Sequence, residues 1–369
     1  MLYKVCVYAI CKNEEKFVDC WMDSMNEADM VVVTDTGSED NTVDKLKARG
    51  AVVYVESIVP WRFDTARNVS LSHVPDNIDI CVCTDLDEIF LPGWRENLEK
   101  AWNTQDKNDT IAKTGKYLYN WSLKADGTPD VQFDYFKVHG RQGFYWKYPV
   151  HECIMYNGKL PLKTIYINDM VLNHYPDVKK SRGSYLPLLE MAVSESPSDD
   201  RMNYYLGREY MYAGRWQDCI NMLNKYLLLP SANWNEERCA AMRWIAKSFN
   251  ALKNQKEAYS WYFRAIAEAS YLRDPYIEFA KTAYQHNDWI MVFFLVEEAL
   301  KIKNKSTTYV NMGYAWDHTP YDLGVIACYN LGLLKKSLVH AHKASELCPE
   351  NKRLENNLKT IKEALENSH

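Results

Sequence analysis

Along the first hundred residues two hydrophobic rhythms alternate. YKVCVYAI, residues 3–10, is an apolar, β-branched run that reads as a strand. In residues 14–27 Phe17, Trp21 and Met25 recur at four-residue spacing, which predicts one apolar face of a helix. MVVVTDT, ending at Thr36, is nearly all apolar, as in a parallel strand covered on both faces. Residues 38–50 carry acids early, Lys and Arg late and Gly50 as a stop, the charge order of a helix. A third strand (51–57), a helix (63–74) and a fourth strand (79–84) complete a βαβαβ rhythm. That rhythm predicts a mostly parallel, Rossmann-like α/β sheet with helices on both sides.

The pattern changes after about residue 110. TGKYLYNWS, VQFDYFKVH, GFYWKYPVHECIMY and IYINDMVLNHY read as strands, with turn signals at Asp126-Gly127 and Asn157-Gly158. They predict an appended, largely antiparallel layer. From about 180 onward only helical periodicity remains, in paired segments 201–229, 236–270, 275–303 and 321–345. Their shared register, Leu206-Gly207-x-x-Tyr210, Ile245-Ala246, Phe279-Ala280 and Leu323-Gly324, predicts an all-α, tetratricopeptide-like repeat. Residues 349–369 read as a last helix with a polar end. The expected domains are therefore 1–180 and 181–369.

A chain of 369 residues suits two such cores. The net charge of −5 argues against a nucleic-acid backbone as main partner. No run of about 18 apolar residues predicts a membrane span, and MLYKVCVYAICKNEE lacks the form of a signal peptide. The ten Cys, none in a C-x-x-C pair, then read as reduced cytoplasmic thiols. Cys81 and Cys83 flank Val82 and read as strand packing.

The chemistry gathers at the strand ends. The fourth strand stops at Asp85, Leu86, Asp87 and Glu88. In open α/β sheets ligands bind at the carboxyl ends of strands. Two like charges about 4 Å apart repel by roughly 4 kcal/mol at an effective dielectric of 20. A divalent cation, Mn²⁺ or Mg²⁺, removes that cost and clamps phosphates. The same acids also fit a solvated turn capping a helix near Pro92. The neighbouring strand ends add Asn13, Glu14 and Glu15, then Asp35, Thr36, Gly37 and Ser38; the helix after strand 3 adds Trp61, Phe63, Asp64, Arg67 and Asn68.

These segments, N-E-E, D-T-G-S-x-D-N-T, W-x-F-D-x-A-R-N and D-L-D-E, resemble in order the family 2 glycosyltransferases of the GT-A fold. The resemblance spans residues 3–100 well and extends loosely to about 176. It implies a nucleotide-diphosphate sugar, here a UDP-sugar, as donor. By position, Asp35 is expected at the nucleoside, with Asn13 and Glu15 lining the same pocket and Arg67 near the nucleotide. Asp85 is expected at ribose or metal and Asp87 at the metal, with His174 completing its shell. Leu86 stands where a small residue is frequent, which touches no ligand. Trp146-x-x-x-Val150-His151-Glu152 and Asn173-His174-Tyr175 add a resemblance to the bacterial and phage branch containing the sublancin S-glycosyltransferase.

Glycosyl transfer also needs a base. Glu152 is the first choice and His151 the second; on a strand their side chains face opposite ways. Trp146, Trp121 and Tyr148 either pack in the core or stack on sugar or acceptor. A helical groove suits an extended peptide, so a Ser, Thr or Cys side chain of a peptide or protein is the expected acceptor. An alternative expectation for the same half is a homodimer, with Trp289, Phe293 and Phe294 at the seam or in ordinary interhelical packing. Competing readings are transfer to a glycan, a lipid-linked carrier or modified phage DNA. A reading of another class is a helical-repeat scaffold with a vestigial nucleotide-sugar site.

Overall fold

The computed structural model describes residues 3–103, 111–177 and 183–367. Two compact units, Met1–Ala192 and Val193–His369, make up the chain. The expected boundary between residues 180 and 181 lies outside the described residues.

The first unit follows the order β1 (Val5–Cys11), α1 (Val18–Ser24), β2 (Met30–Asp35), α2 (Thr42–Ala48), β3 (Val52–Val55), α3 (Phe63–Ser72) and β4 (Ile80–Cys83). β5 (Glu88–Phe90), α4 (Trp94–Asn103), β6 (Ala112–Leu123), β7 (Pro129–Gly140), β8 (Phe144–Lys147), β9 (Cys153–Tyr156) and β10 (Leu162–His174) come next. α5 (Tyr185–Glu195) spans the boundary between the units.

Alternation along the central strands builds the two faces of the sheet. Val5, Val7, Ala9, Val31, Val33, Ile80 and Val82 point to one face, under Trp21, Met25, Leu46, Trp94 and Leu98. Cys6, Tyr8, Val32, Cys81 and Cys83 point to the other, under Leu71, Val74 and Trp146. Cys81 and Cys83 thus sit in the packed core. All ten cysteines are free thiols.

One sheet of eight strands runs β3-β2-β1-β4-β7-β6-β10-β5. The strands after residue 110 therefore extend the first sheet, where a separate layer was expected. β7 pairs antiparallel with β4 and with β6, whereas β10 runs parallel to β6. An unpaired β4 edge would leave a row of backbone groups without partners, and β7 covers it. Asp126-Gly127 makes the expected turn between β6 and β7, with Gly127 at φ 80° and Thr128 N–H donating to Asp126 at 2.9 Å. GFYWKYPVHECIMY is broken into β8 and β9, which pair with each other in a small second sheet. Pro149 has no N–H to give a ladder, and Tyr148 and His151 take left-handed backbone at φ 84° and 52°.

The second unit stacks helical pairs: α6 (Asp200–Tyr212) with α7 (Trp216–Leu227), then α8 (Asn235–Ala251) with α9 (Gln255–Glu268). α10 (Asp274–Gln285) pairs with α11 (Trp289–Lys301), α12 (Thr319–Asn330) with α13 (Leu334–Leu347), and α14 (Lys352–Glu366) ends the stack. The small residues of the expected register sit where helices meet. A Cβ on Gly207 would collide with Leu223 of α7, and one on Gly324 with His340 of α13. Ala246 and Ala280 are fully buried. Phe294 is exposed and Trp289 and Phe293 are half-buried. Among the described residues no helix is long and apolar enough to cross a membrane.

Candidate active site

β4 ends at Cys83, and residues 84–87 form a turn. Asp85 and Asp87 therefore do not share a strand face. The turn closes on itself: Asp85 N–H donates to Glu88 Oε2 at 2.8 Å, and Glu88 N–H donates to Asp85 O at 3.1 Å.

Two cations of the chain itself enter this knot. Arg67, on α3, places Nη2 2.8 Å from Asp85 Oδ1. Lys137, on β7, places Nζ 3.0 Å from Asp85 Oδ2 and 3.3 Å from Glu88 Oε1. Tyr119 of β6 donates to Glu88 Oε1 at 2.8 Å. Attraction at about 3 Å is roughly 5 kcal/mol at an effective dielectric of 20, before desolvation is counted. Part of the repulsion expected to require a bound dication is thus relieved by Arg67 and Lys137. Burial disfavours charge on Asp85, but Arg67 and Lys137 outweigh it and hold the carboxyl well below the usual range. Glu88 is fully enclosed; burial pushes its carboxyl up despite Lys137.

Arg67 also holds Glu152, with Nε 2.5 Å from Oε1. One guanidinium so joins the end of β4 to the loop between β8 and β9. Burial works against its charge, yet Asp85, Cys83 and Glu152 raise its proton affinity further. β8 and this loop are both fastened to α3. Asn68 Nδ2 donates to Trp146 O at 2.8 Å and Trp146 N–H donates to Asn68 Oδ1 at 2.7 Å. Phe63 N–H donates to Pro149 O at 3.0 Å. Trp146, buried beneath the Arg67 guanidinium, donates from Nε1 to Tyr8 Oη at 2.8 Å. Tyr8 in turn contacts His139 Nε2 at 2.7 Å, while His139 Nδ1 lies 2.7 Å from Gly140 O. A carbonyl only accepts, so Nδ1 carries the proton and Nε2 accepts from Tyr8.

His151 and Glu152 lie in this loop, outside any strand, so strand alternation does not govern them. Glu152 turns to Arg67, whereas the His151 ring meets Tyr185 edge-on with centroids 5.6 Å apart. Trp146 is core. Trp121 is exposed and lies against His174, with ring centroids 4.7 Å apart. Tyr148 lies under the Lys147 ammonium.

At the ends of β1 and β2 the expected nucleotide residues stitch two loops together. Asp35 is buried; its Oδ1 accepts from Gly37 and Ser38 N–H at 3.0 and 2.9 Å, and Ser38 Oγ donates to Oδ2. Gly37, at φ 104°, takes the backbone that this turn requires. Asn13 N–H donates to Ser38 Oγ at 2.8 Å, and Asn13 Oδ1 accepts from Glu39 N–H at 2.7 Å. Glu15 reaches Asn41 Nδ2 and Lys45 Nζ on α2, each at 3.3 Å from Oε1.

Asp87 stands apart from this network and faces His174, with Oδ2 and Nε2 3.5 Å apart. His174 Nδ1 lies 3.0 Å from Trp121 O. That carbonyl fixes the proton on Nδ1, so neutral His174 turns a lone pair toward a carboxylate. Two acceptors face one another, an arrangement that suits a shared proton or a cation. Burial opposes protonation of His174, but Asp87 outweighs it and raises the pKa. Among the described residues no three His, Cys, Asp or Glu side chains are grouped to hold a metal. A carboxylate–imidazole pair that leaves other positions to phosphate oxygens and water still fits Mn²⁺ or Mg²⁺ chemically. Beside His174 opens a cavity of about 680 Å³, lined by Lys16, Phe17, Leu123, Lys124 and Tyr175 among others.

Residues 6–158 match the family model described as Glycosyl transferase family 2. This stretch of the first unit is thus similar to the family 2 glycosyltransferases, and an all-helical, tetratricopeptide-like region follows it. The site built from Arg67, Asp85, Asp87 and Glu152 lies inside the matched residues. Among solved structures, that of MamA is 18% identical, with 48% of this chain and 99% of that chain covered at a TM-score of 0.38. TTC0263, a tetratricopeptide repeat protein of Thermus thermophilus, is 14% identical, with coverage of 48% and 89% and a TM-score of 0.33. Yeast Tom70 is 13% identical, with coverage of 51% and 37% and a TM-score of 0.38.

Lys137 and Tyr119 were not anticipated. Lys137 has a signal in the sequence, one ammonium among Phe133, Tyr135, Val138 and His139, although the register of β7 shifts between Tyr135 and Val138 and breaks simple alternation there. A lone charge on an inward strand face requires a buried partner.

Proposed function

We propose that the protein transfers a hexose from a UDP-sugar to a Ser, Thr or Cys side chain of a peptide or protein, using Mn²⁺ or Mg²⁺ and inverting the anomeric carbon. The observation that carries this reading is the double attachment of Arg67. Its guanidinium bonds Asp85 at the end of β4 and Glu152 in the loop between β8 and β9, which this reading takes as the donor and acceptor sides. On this reading Arg67 holds the donor pocket and the base in fixed relation, and the match of residues 6–158 to the family 2 glycosyltransferase model supports it.

In this reading the loops of Asn13, Glu15 and Asp35 shape the nucleoside end. Asp35 acts by fixing the Gly37–Ser38 turn, since its oxygens are already bonded there. Asp85 is assigned to ribose, and Asp87 with His174 to the metal. The ion, when bound, supplies Lewis-acid neutralisation of the leaving diphosphate. Glu152 takes the proton from the acceptor oxygen or sulfur as that atom attacks the anomeric carbon. The bond from that carbon to the phosphate oxygen breaks, and its electron pair leaves on UDP. Arg67 orients Glu152 throughout, and His151 is the alternative base. The nearer likeness to the sublancin branch rests on Trp146 to Glu152 and on Asn173 to Tyr175, and it favours a peptide acceptor.

The test is transfer itself. Radiolabelled UDP-glucose, UDP-galactose and UDP-N-acetylglucosamine, each with Mn²⁺, are incubated with a Ser-, Thr- and Cys-bearing peptide library. Label on peptide supports the reading. Label found only on glycan or DNA overturns the acceptor, and no label on any acceptor, with no UDP released, overturns the enzyme.

A further inference from the structure

The first helices of the repeat pairs, α6, α8, α10 and α12, lie side by side and form one layer of the second unit. The link between α11 and α12 occupies residues 302–318, longer than the usual helix–helix connection of about 2–8 residues. It crosses this layer and is gripped by three of its helices.

Tyr309 stacks toward Tyr205 of α6, with centroids 6.5 Å apart, and lies 5.6 Å from Trp234 at the start of α8. Its hydroxyl donates to Glu237, and Ser306 Oγ donates to Glu236 at 3.1 Å. Arg243 of α8 donates to the Val310 carbonyl at 3.4 Å. Asp274 of α10 accepts from Met312 N–H at 2.6 Å. Tyr314 donates to Glu278 at 2.5 Å, and Glu278 is also paired with Arg243 at 2.8 Å. Arg273 covers the Trp316 ring and donates to the Ala315 carbonyl at 3.5 Å.

Side chains of the helical layer read main-chain groups at Val310, Met312 and Ala315, while Tyr309 and Tyr314 fill aromatic or acidic niches. Main-chain contacts hold any polypeptide, and side-chain niches select among them. The fit is also incomplete. Asp274 Oδ2, Asn311 Oδ1 and Trp316 Nε1 are buried with no hydrogen-bond partner. Each such group weakens the docked state. Burial accordingly pushes the Asp274 carboxyl up.

We infer that residues 304–316 are an internal ligand of the helical layer: they keep a polypeptide-binding surface closed, and a partner segment enters only by displacing them. The inference does not depend on the transferase reading, and its test does not use activity. A full-length variant with Tyr309→Ser, Val310→Ser and Tyr314→Ser loosens the segment while leaving the helices unchanged. A fluorescein-labelled peptide of residues 304–316 is titrated against it by anisotropy. The variant binds the peptide at least about tenfold more tightly than the unaltered protein, and adding Arg243→Met removes that gain. Equal affinity for both proteins, or no binding by a variant whose circular dichroism is native, overturns the inference. Should the variant fail to fold, hydrogen exchange on the unaltered chain decides. Amides of 310–316 exchange at least about a hundredfold faster than those of central α8 and α10, by local opening. Equal protection of segment and helices overturns it.

Discussion

Lys137, inside β7, places its ammonium 3.0 Å from the carboxylate of Asp85 at the end of β4. The bond ties the last strand of the parallel half to the strand that covers its edge. It also supplies, with Arg67, the positive charge that allows acids to crowd at the mouth of the sheet.

Replacing Lys137 by Met strands Glu88 in a dry site and frees one oxygen of Asp85. Breaking a buried pair by removing one partner costs about 3–5 kcal/mol. Urea unfolding is expected to show a loss of that order for Lys137→Met. The double variant Lys137→Met with Glu88→Gln recovers part of it, because the unpaired charge is gone. A single variant as stable as the unaltered protein would show that the pair does not support the fold.

Glu152→Gln keeps the shape of the side chain and a hydrogen bond to Arg67 but cannot accept a proton. Turnover is expected to fall by about 10²–10⁴, the usual worth of a general base, while donor affinity stays within about threefold. Turnover near that of the unaltered protein would transfer the role to His151, which His151→Ala then tests.

His139 gives a pH signature for the support beneath Arg67. Burial lowers its pKa from 6.5 to about 4. The unfolded chain takes up this proton near 6.5 and the folded chain only near 4. Between those values the unfolded state binds more protons, so stability falls as pH is lowered across that window and levels off below it. One proton over that window amounts to about 3 kcal/mol. Thermal melts from pH 7 to pH 4 are expected to show this slope, and His139→Gln to flatten it. An unchanged slope in the variant would place the titrating group elsewhere.

Much of this architecture is legible in the sequence, and what is hidden has a physical cause. Periodicity marks β1, β2, β4 and the helical pairs because their burial is one- or two-sided and regular. Gly207 and Gly324 announce close helix contacts because no larger residue fits against Leu223 or His340. Sheet order is hidden: nothing local in VQFDYFKVH says that it pairs with β4, since pairing depends on which edge is open. The loop of Tyr148 to Glu152 reads as strand because its apolar, aromatic residues are strand-like, and only Pro149 signals the break. The acids of β4 are plain in the sequence, whereas their cation Lys137 lies 52 residues beyond Asp85 and meets it only through the fold. The long α11–α12 link shows only as a wider repeat spacing.

Gly207→Ala tests the repeat packing. The added methyl meets Leu223 of α7, which must shift. Overpacking of this kind costs about 1–3 kcal/mol. A lower melting temperature of the full chain, with donor binding by the first unit unchanged, is the expected result. A neutral substitution would show that the α6–α7 contact is looser than its geometry implies.

In the proposed function the end of β4, with its neighbouring loops, grips the diphosphate of a nucleotide sugar through a dication. Isothermal titration with UDP and UDP-sugars, with and without Mn²⁺, measures this most directly. The expected result is Mn²⁺-dependent binding by the unaltered protein and its loss in Asp87→Ala with the fold intact. Absence of binding across the panel, or binding that survives both Asp87→Ala and removal of Mn²⁺, would contradict it.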